Sequence, residues 1–109
     1  MPPSALAAAV RAIEQVSRRT GVPVATFAHA GDGIVHPLVR AGHPRAEEAV
    51  ELVVRAALDL GGTLTGEHGV GRTKRAWLDL ELDAPTRALH RRLKDALDPA
   101  GLLNPGAAI

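Results

Sequence analysis

Apolar side chains recur at helical spacing over residues 4–19. Leu6, Val10, Ile13 and Val16 form a stripe, with Arg11, Glu14, Arg18 and Arg19 off it. Ser4, after Pro2 and Pro3, is the candidate N-cap, and Gly21 the candidate C-cap. The period then changes. Residues 22–30, with Val22, Val24, Thr26 and Phe27, predict a β-strand, and residues 34–40, with Ile34, Val35, Leu38 and Val39, predict a second. Asp32-Gly33 between them is a hairpin signal. A second helix is predicted from Pro44 to Leu60. Its stripe is Ala46, Ala49, Val50, Val53, Ala57 and Leu60; Glu47, Glu48, Glu51, Arg55 and Asp59 cover its outer face, and Glu51 with Arg55 is a favourable i,i+4 pair. Gly61-Gly62 ends it. Beyond the glycine-rich loop Thr63 to Gly71, a short helical stretch over Lys74–Leu82 leads to Asp83, a good N-cap for a last helix over 84–97. Leu89, Leu93 and Leu97 are that helix's expected buried stripe, and Asp98-Pro99 stops it. The order helix, strand, strand, helix predicts an α+β fold with an antiparallel hairpin.

Composition narrows the function classes. The 109 residues fit one domain. Apolar residues make up 46% and mean hydropathy is +0.03, which suits a packed core rather than a disordered chain. Thirteen basic residues face twelve acidic ones, interspersed along the chain. That balance excludes the electrostatic footprint of a nucleic-acid binder. There is no cysteine, so disulfides, a thiolate nucleophile and cysteine zinc sites are all excluded. No apolar run reaches the roughly 20 residues a membrane helix needs. The Ala-rich start has no basic segment ahead of its apolar part, unlike a signal peptide, and cytoplasm is the expected compartment. Aromatics total 2%, so the core is built from Ala, Val and Leu, with little to stack a base or ring on.

Two segments carry candidate chemistry. The first is His29-Ala30-Gly31-Asp32-Gly33-Ile34-Val35-His36. With Asp32-Gly33 as a two-residue loop, His29 stands directly opposite His36, their Cβ atoms about 4.5–5.5 Å apart. A longer loop shifts that register. Two imidazoles on one sheet face can share a metal ion; the plainer alternative is two surface histidines flanking a turn. The second segment is Thr63-Leu64-Thr65-Gly66-Glu67-His68-Gly69-Val70-Gly71. It places an acid and a base side by side between glycines. Glu67 can complete a two-His, one-carboxylate set with His29 and His36, suited to zinc or another divalent transition metal. His68 can then act as acid or base. The alternative is a mobile surface loop. The spacing is neither G-x-G-x-x-G nor a P-loop. Lys74, just behind the loop, can attract a substrate carboxylate. Arg87, Arg91, Arg92 and Lys94 read as a solvated helix face, His43 as a helix start, His90 as a residue off the stripe and Trp77 as a packing anchor.

His-Ala-Gly-Asp-Gly-x-x-His, then Gly-Glu-His-Gly-Val-Gly with Lys74-Arg75 behind it, then Asp98-Pro99 and Leu103-Asn104-Pro105-Gly106, resemble the C-terminal domain of FAD-linked oxidases. The similarity is to the D-lactate dehydrogenase, glycolate oxidase and D-2-hydroxyglutarate dehydrogenase relatives of the vanillyl-alcohol oxidase superfamily, and it spans Phe27 to Gly106. The resemblance implies a ferredoxin-like cap, an antiparallel sheet fragment with helices on one face, packed over a flavin held mainly by a separate N-terminal domain. It implies FAD in the full-length enzyme, a divalent metal of the zinc kind, and oxidation of a small 2-hydroxy acid by proton abstraction and hydride transfer to flavin. By the same resemblance His29, His36 and Glu67 are metal ligands, His68 is the catalytic histidine, and Asn104 touches the flavin.

The chain carries Ile34 where the family has Asn and Ala107 where it has Lys. It has Leu38 where hydroxyglutarate-type members are polar. The resemblance further implies one cap segment of a longer enzyme, inactive alone, partnered by a flavin-binding domain or subunit and prone to self-association. The alternatives are a stand-alone metal-binding or interaction module without catalysis, and a small metallohydrolase built on the same His-His-Glu set, which lacks H-E-x-x-H.

Overall fold

The structure, a computed structural model, describes residues 1–108. The chain divides into two compact units, Met1–Gly66 and Glu67–Ile109. The first is the α+β unit that the sequence predicts. It contains helix α1 (Leu6–Thr20), strand β1 (Val24–His29), strand β2 (Ile34–Val39) and helix α2 (Ala46–Asp59).

A turn of 3-10 helix, Pro3–Ala5, precedes α1, and the N-cap is Ala5 with no side-chain cap bond. Ser4 therefore lies inside the 3-10 turn and is not the cap that the sequence suggested, because Pro3 starts the helical winding early. At the other end Gly21 takes the left-handed conformation (φ 71°), and its N–H donates to the Ser17 carbonyl at 2.9 Å. The Thr20 hydroxyl donates to Val16 and accepts from the Val22 N–H, and the Ser17 hydroxyl donates to the Val22 carbonyl. These bonds turn the chain directly into β1. Helix α2 closes with two bonds over a left-handed Gly61: Gly61 N–H to Leu58 at 2.9 Å and Gly62 N–H to Ala57 at 2.8 Å.

The strands pair antiparallel with Val24 opposite Val39, Phe27 opposite His36 and His29 opposite Ile34. One face of this ribbon carries Val24, Val35 and Val39, which pack with Ile13 and Val16 of α1 and Ala49, Leu52 and Val53 of α2 around the fully buried Val22. Both helices thus cover one face. Burying Val22 stabilises the unit by about 2 kcal/mol. Arg45 ties the helices at their ends. Its guanidinium grips Glu48 through two bonds of 2.7 and 2.8 Å and donates to the Arg19 and Thr20 carbonyls. That grip holds the Glu48 carboxyl below its ordinary pKa.

The second unit holds a 3-10 turn (Arg75–Trp77), the single-turn helix α3 (Leu78–Glu81) and helix α4 (Ala84–Leu97). Asp83 caps α4, accepting from the Thr86 N–H at 2.9 Å, as its position before the periodic stretch predicts. The leucine stripe of α4 is a correction. Leu89, Leu93 and Leu97 are 49, 53 and 81% exposed, and no residue of α4 is buried. The period is helical, but no described residue covers the stripe. The polar face also differs from a purely solvated one, since Arg87 binds Asp79 and Lys94 binds Asp98. Asp98 does more than stop the helix. Its side chain is 6% exposed and accepts from Lys94 and from the Leu102 and Leu103 N–H groups, both at 2.9 Å. Lys94 and those backbone donors hold its carboxyl below the ordinary value.

Candidate functional site

The hairpin decides where the two histidines go. Its loop is four residues, not two: a 3-10 turn over Ala30–Asp32 followed by Gly33 in the left-handed conformation (φ 68°). His29 therefore pairs with Ile34, and His36 with Phe27. The direct opposition of His29 and His36 expected from a two-residue loop is replaced by a diagonal one. A shift of two positions preserves the side on which every residue points. His29 and His36 thus share the ribbon face away from the valine core, along with Phe27 and Leu38.

Diagonal placement still brings the rings together. The His29 and His36 centroids are 5.0 Å apart with the planes nearly perpendicular (86°). Phe27 stacks on His36 at 4.6 Å and 17°. This stack fixes the imidazole plane of His36, whose Nε2 is shielded from solvent. The protein's one phenylalanine is 52% exposed, so it is placed against a histidine rather than in the core.

The glycine loop begins firmly. Leu64 is 5% exposed, and a Cβ added at Gly66 would meet Ile34 Cγ2 at 3.2 Å. The loop backbone therefore passes close over the start of β2, and Ile34 fills the space beside it. Glu67 follows Gly66 in the chain. One ligand atom each from His29, His36 and Glu67 lie within 4.8 Å of one another. An ion bound at about 2.1 Å sets tetrahedral ligand atoms roughly 3.4 Å apart. Two imidazoles and a carboxylate so spaced can close on one ion by side-chain rotation. They suit a divalent transition metal and leave further coordination positions open.

His68 lies outside that ligand set and beside one member of it: its Nε2 stands 3.6 Å from Glu67 Oε1, and its side chain is 72% exposed. Lys74 is half-buried at the N-terminus of the 3-10 turn Arg75–Trp77. Asn104 is exposed on the tail after α4, with φ +45°. His43 and His90 do not join the cluster. His43 Nδ1 accepts the Arg45 N–H at the start of α2, and His90 lines a shallow apolar cavity of about 390 Å³ with Leu93, Lys94, Leu97, Asp98 and Leu103. Sequence reasoning missed the bonds by which Arg72 and Arg75 hold the tail backbone. Bonds to carbonyls far along the chain leave no pattern in residue spacing.

No helix among the described residues is long and apolar enough to cross a membrane. Comparison with known proteins bears on the same residues. The profile of the family described as "FAD linked oxidases, C-terminal domain" matches residues 1–108. The glycolate oxidase subunit GlcD of Bacillus subtilis is 38% identical over 112 residues, covering 97% of this chain and 24% of the relative. The mitochondrial D-lactate dehydrogenase [cytochrome] of Kluyveromyces lactis is 40% identical over 108 residues, 96% of this chain and 19% of the relative. The D-lactate dehydrogenase of Archaeoglobus fulgidus is 36% identical over 112 residues, 100% of this chain and 25% of the relative. The chain thus spans a quarter or less of the length of these relatives.

Proposed function

We propose, from the premise that this chain belongs to the C-terminal domain family of FAD-linked oxidases, that it supplies the metal and proton-transfer side of an enzyme oxidising a small 2-hydroxy acid. The observation that carries the reading is the convergence of His29, His36 and Glu67 beside His68. Glycolate and D-lactate, named in the relatives, share the hydroxyl-bearing carbon next to a carboxylate that such a site fits. In this reading the first three residues hold a divalent ion of the zinc kind, whose contribution is to polarise the substrate hydroxyl. The flavin of the whole enzyme, held by a partner domain or subunit, contributes a two-electron acceptor.

The chain's own residues do the rest. Neutral imidazoles at His29 and His36 donate lone pairs, and Glu67 supplies negative charge. His68, whose Nε2 stands 3.6 Å from Glu67 Oε1, takes the substrate hydroxyl proton at a ring nitrogen. Lys74 offers an ammonium to the substrate carboxylate, and Asn104 contacts the flavin. Nothing in the chain itself stores two electrons, so the 109 residues alone oxidise no 2-hydroxy acid.

Zinc titration of the 109-residue chain by calorimetry tests the reading. His29→Ala and Glu67→Ala weaken binding at least about tenfold, whereas His43→Ala and His90→Ala bind as the parent does. Equal effects from all four overturn it. In a complete enzyme carrying this segment, His68→Ala lowers turnover and leaves metal content intact, and Glu67→Ala lowers both. Zinc binding by a complete enzyme whose turnover ignores His68→Ala favours a metal-binding module without catalysis.

A further inference from the structure

The tail after α4 is held by cations bonded to backbone carbonyls. Lys94 Nζ donates to the Leu103 carbonyl at 2.6 Å. Arg72 Nη2 donates to Pro105 at 3.0 Å, and Arg75 Nη1 to Gly106 at 3.3 Å. The Ala108 N–H donates to the Gly71 carbonyl at 2.7 Å. Asp98 accepts the Leu102 and Leu103 N–H groups from the other side.

The pattern is selective. The three bonded carbonyls bracket one residue: Leu103 precedes Asn104, and Pro105 and Gly106 follow it. Asn104 sits at φ +45°, a conformation that asparagine tolerates better than most residues. Ala108, at φ +55°, does not tolerate it well, so its strain is held by the contacts around it. A charged donor on a carbonyl makes a stronger bond than a neutral pair and fixes backbone rather than side chain. Two of the three gripping cations follow the glycine loop directly, and the third, Lys94, stands in the last turn of α4. Gly71, Arg72 and Arg75 come four to eight positions after Glu67-His68, all within Glu67–Ile109.

We propose that Arg72, Arg75 and Lys94 are positioning residues, a three-point clamp that fixes the backbone around Asn104 through the two arginines to the end of the loop carrying His68 and through Lys94 to α4. The role of Asn104 toward flavin rests on the function proposed above, whereas the clamp itself does not. Its consequence for that function is geometric. The residue facing the electron acceptor and the residue facing the substrate proton move as one piece, and chemistry between two bound reactants demands that kind of fixed relation.

The test is NMR on the 15N-labelled 109-residue chain. In Arg72→Gln/Arg75→Gln the Ala108 amide exchanges about fivefold faster or more, from the loss of two charged donors. The Asn104 and His68 resonances shift together, while the Val24 and Val39 amides of the hairpin stay unchanged. Arg72→Lys/Arg75→Lys restores the parent behaviour, since each bond uses one charged donor. An unchanged Ala108 exchange rate overturns the clamp. So does a loosened tail with His68 resonances in place, which describes a fastening without coupling. Collapse of 67–108 in the double variant, read from the Leu78 methyl signals, passes the decision to the single variants Arg72→Gln and Arg75→Gln, one of which must shift Asn104 and His68 together or overturn the proposal. Zinc affinity is recorded on the same samples. Failure of the parent chain to bind zinc removes the metal reading and leaves the clamp result to stand or fall by the exchange data.

Discussion

Gly33→Ala strikes the position on which the geometry of the hairpin depends. Gly33 holds φ +68°, a conformation costing an alanine about 1–2 kcal/mol. A Cβ there would lie 2.0 Å from the Met1 carbonyl oxygen. Met1 must therefore move, and the 3.1 Å bond from its amine to the Gly33 carbonyl is lost, costing about 0.5–1 kcal/mol more. The sum is about 2 kcal/mol. In a unit of this size that lowers the melting temperature by roughly 10 °C. Gly31 is the matched control in the same loop. It has ordinary φ and nothing within 4 Å of an added Cβ, so Gly31→Ala changes stability by about 0.5 kcal/mol or less. Far-ultraviolet circular dichroism on heating reads both variants. A cobalt titration followed by visible absorption reports whether His29 and His36 still converge, and Gly33→Ala weakens that signal while Gly31→Ala keeps it. Equal melting of the two variants, or full cobalt binding by Gly33→Ala at unchanged stability, refutes the reasoning.

Three other outcomes follow from the packing and charge. Val22→Ala, at a fully buried position, destabilises by about 2 kcal/mol in urea unfolding. Leu97→Ala, at 81% exposure, changes stability by less than about 0.5 kcal/mol and reduces self-association in sedimentation. Because the folded Asp98 carboxyl is held below its ordinary value, its contribution is fully present above the unfolded pKa of about 3.9 and is lost as pH falls through the lower folded value. The Leu102 and Leu103 amides therefore lose protection in acid below about pH 4, and Asp98→Asn removes that pH dependence.

Local chemistry made much of this chain legible from its sequence. Gly21, Gly61-Gly62 and Asp83 mark ends that the structure places within a residue or two, because caps act through bonds to backbone only a few positions away. The grouping of His29 and His36 on one face of the hairpin was also legible, although the register behind it differs. Asp32-Gly33 signals a tight loop but does not set its length, and the 3-10 turn over Ala30–Asp32 takes two more residues out of the ladder. The grouping holds under that change because a two-residue slip keeps each side chain on its face. The α4 stripe shows the reverse case. Periodicity identifies an apolar helix face and carries no information on what covers it. The arginine–carbonyl bonds of the tail were invisible for a third reason, since partners 31 and 33 residues apart are set by tertiary geometry.

The distribution of the few aromatic rings has a practical consequence. Trp77 is the sole tryptophan, the chain has no tyrosine, and Trp77 belongs to Glu67–Ile109. Long-wavelength ultraviolet excitation therefore lights up only the unit that carries His68, α4 and the tail. Both strands and the two longest helices other than α4 lie in Met1–Gly66, so that unit supplies most of the circular dichroism and none of the emission. Emission thus reports on one half alone and dichroism mainly on the other, without a label or a mutation. Emission and dichroism recorded on one heated sample will coincide if the halves melt as one and part if they do not.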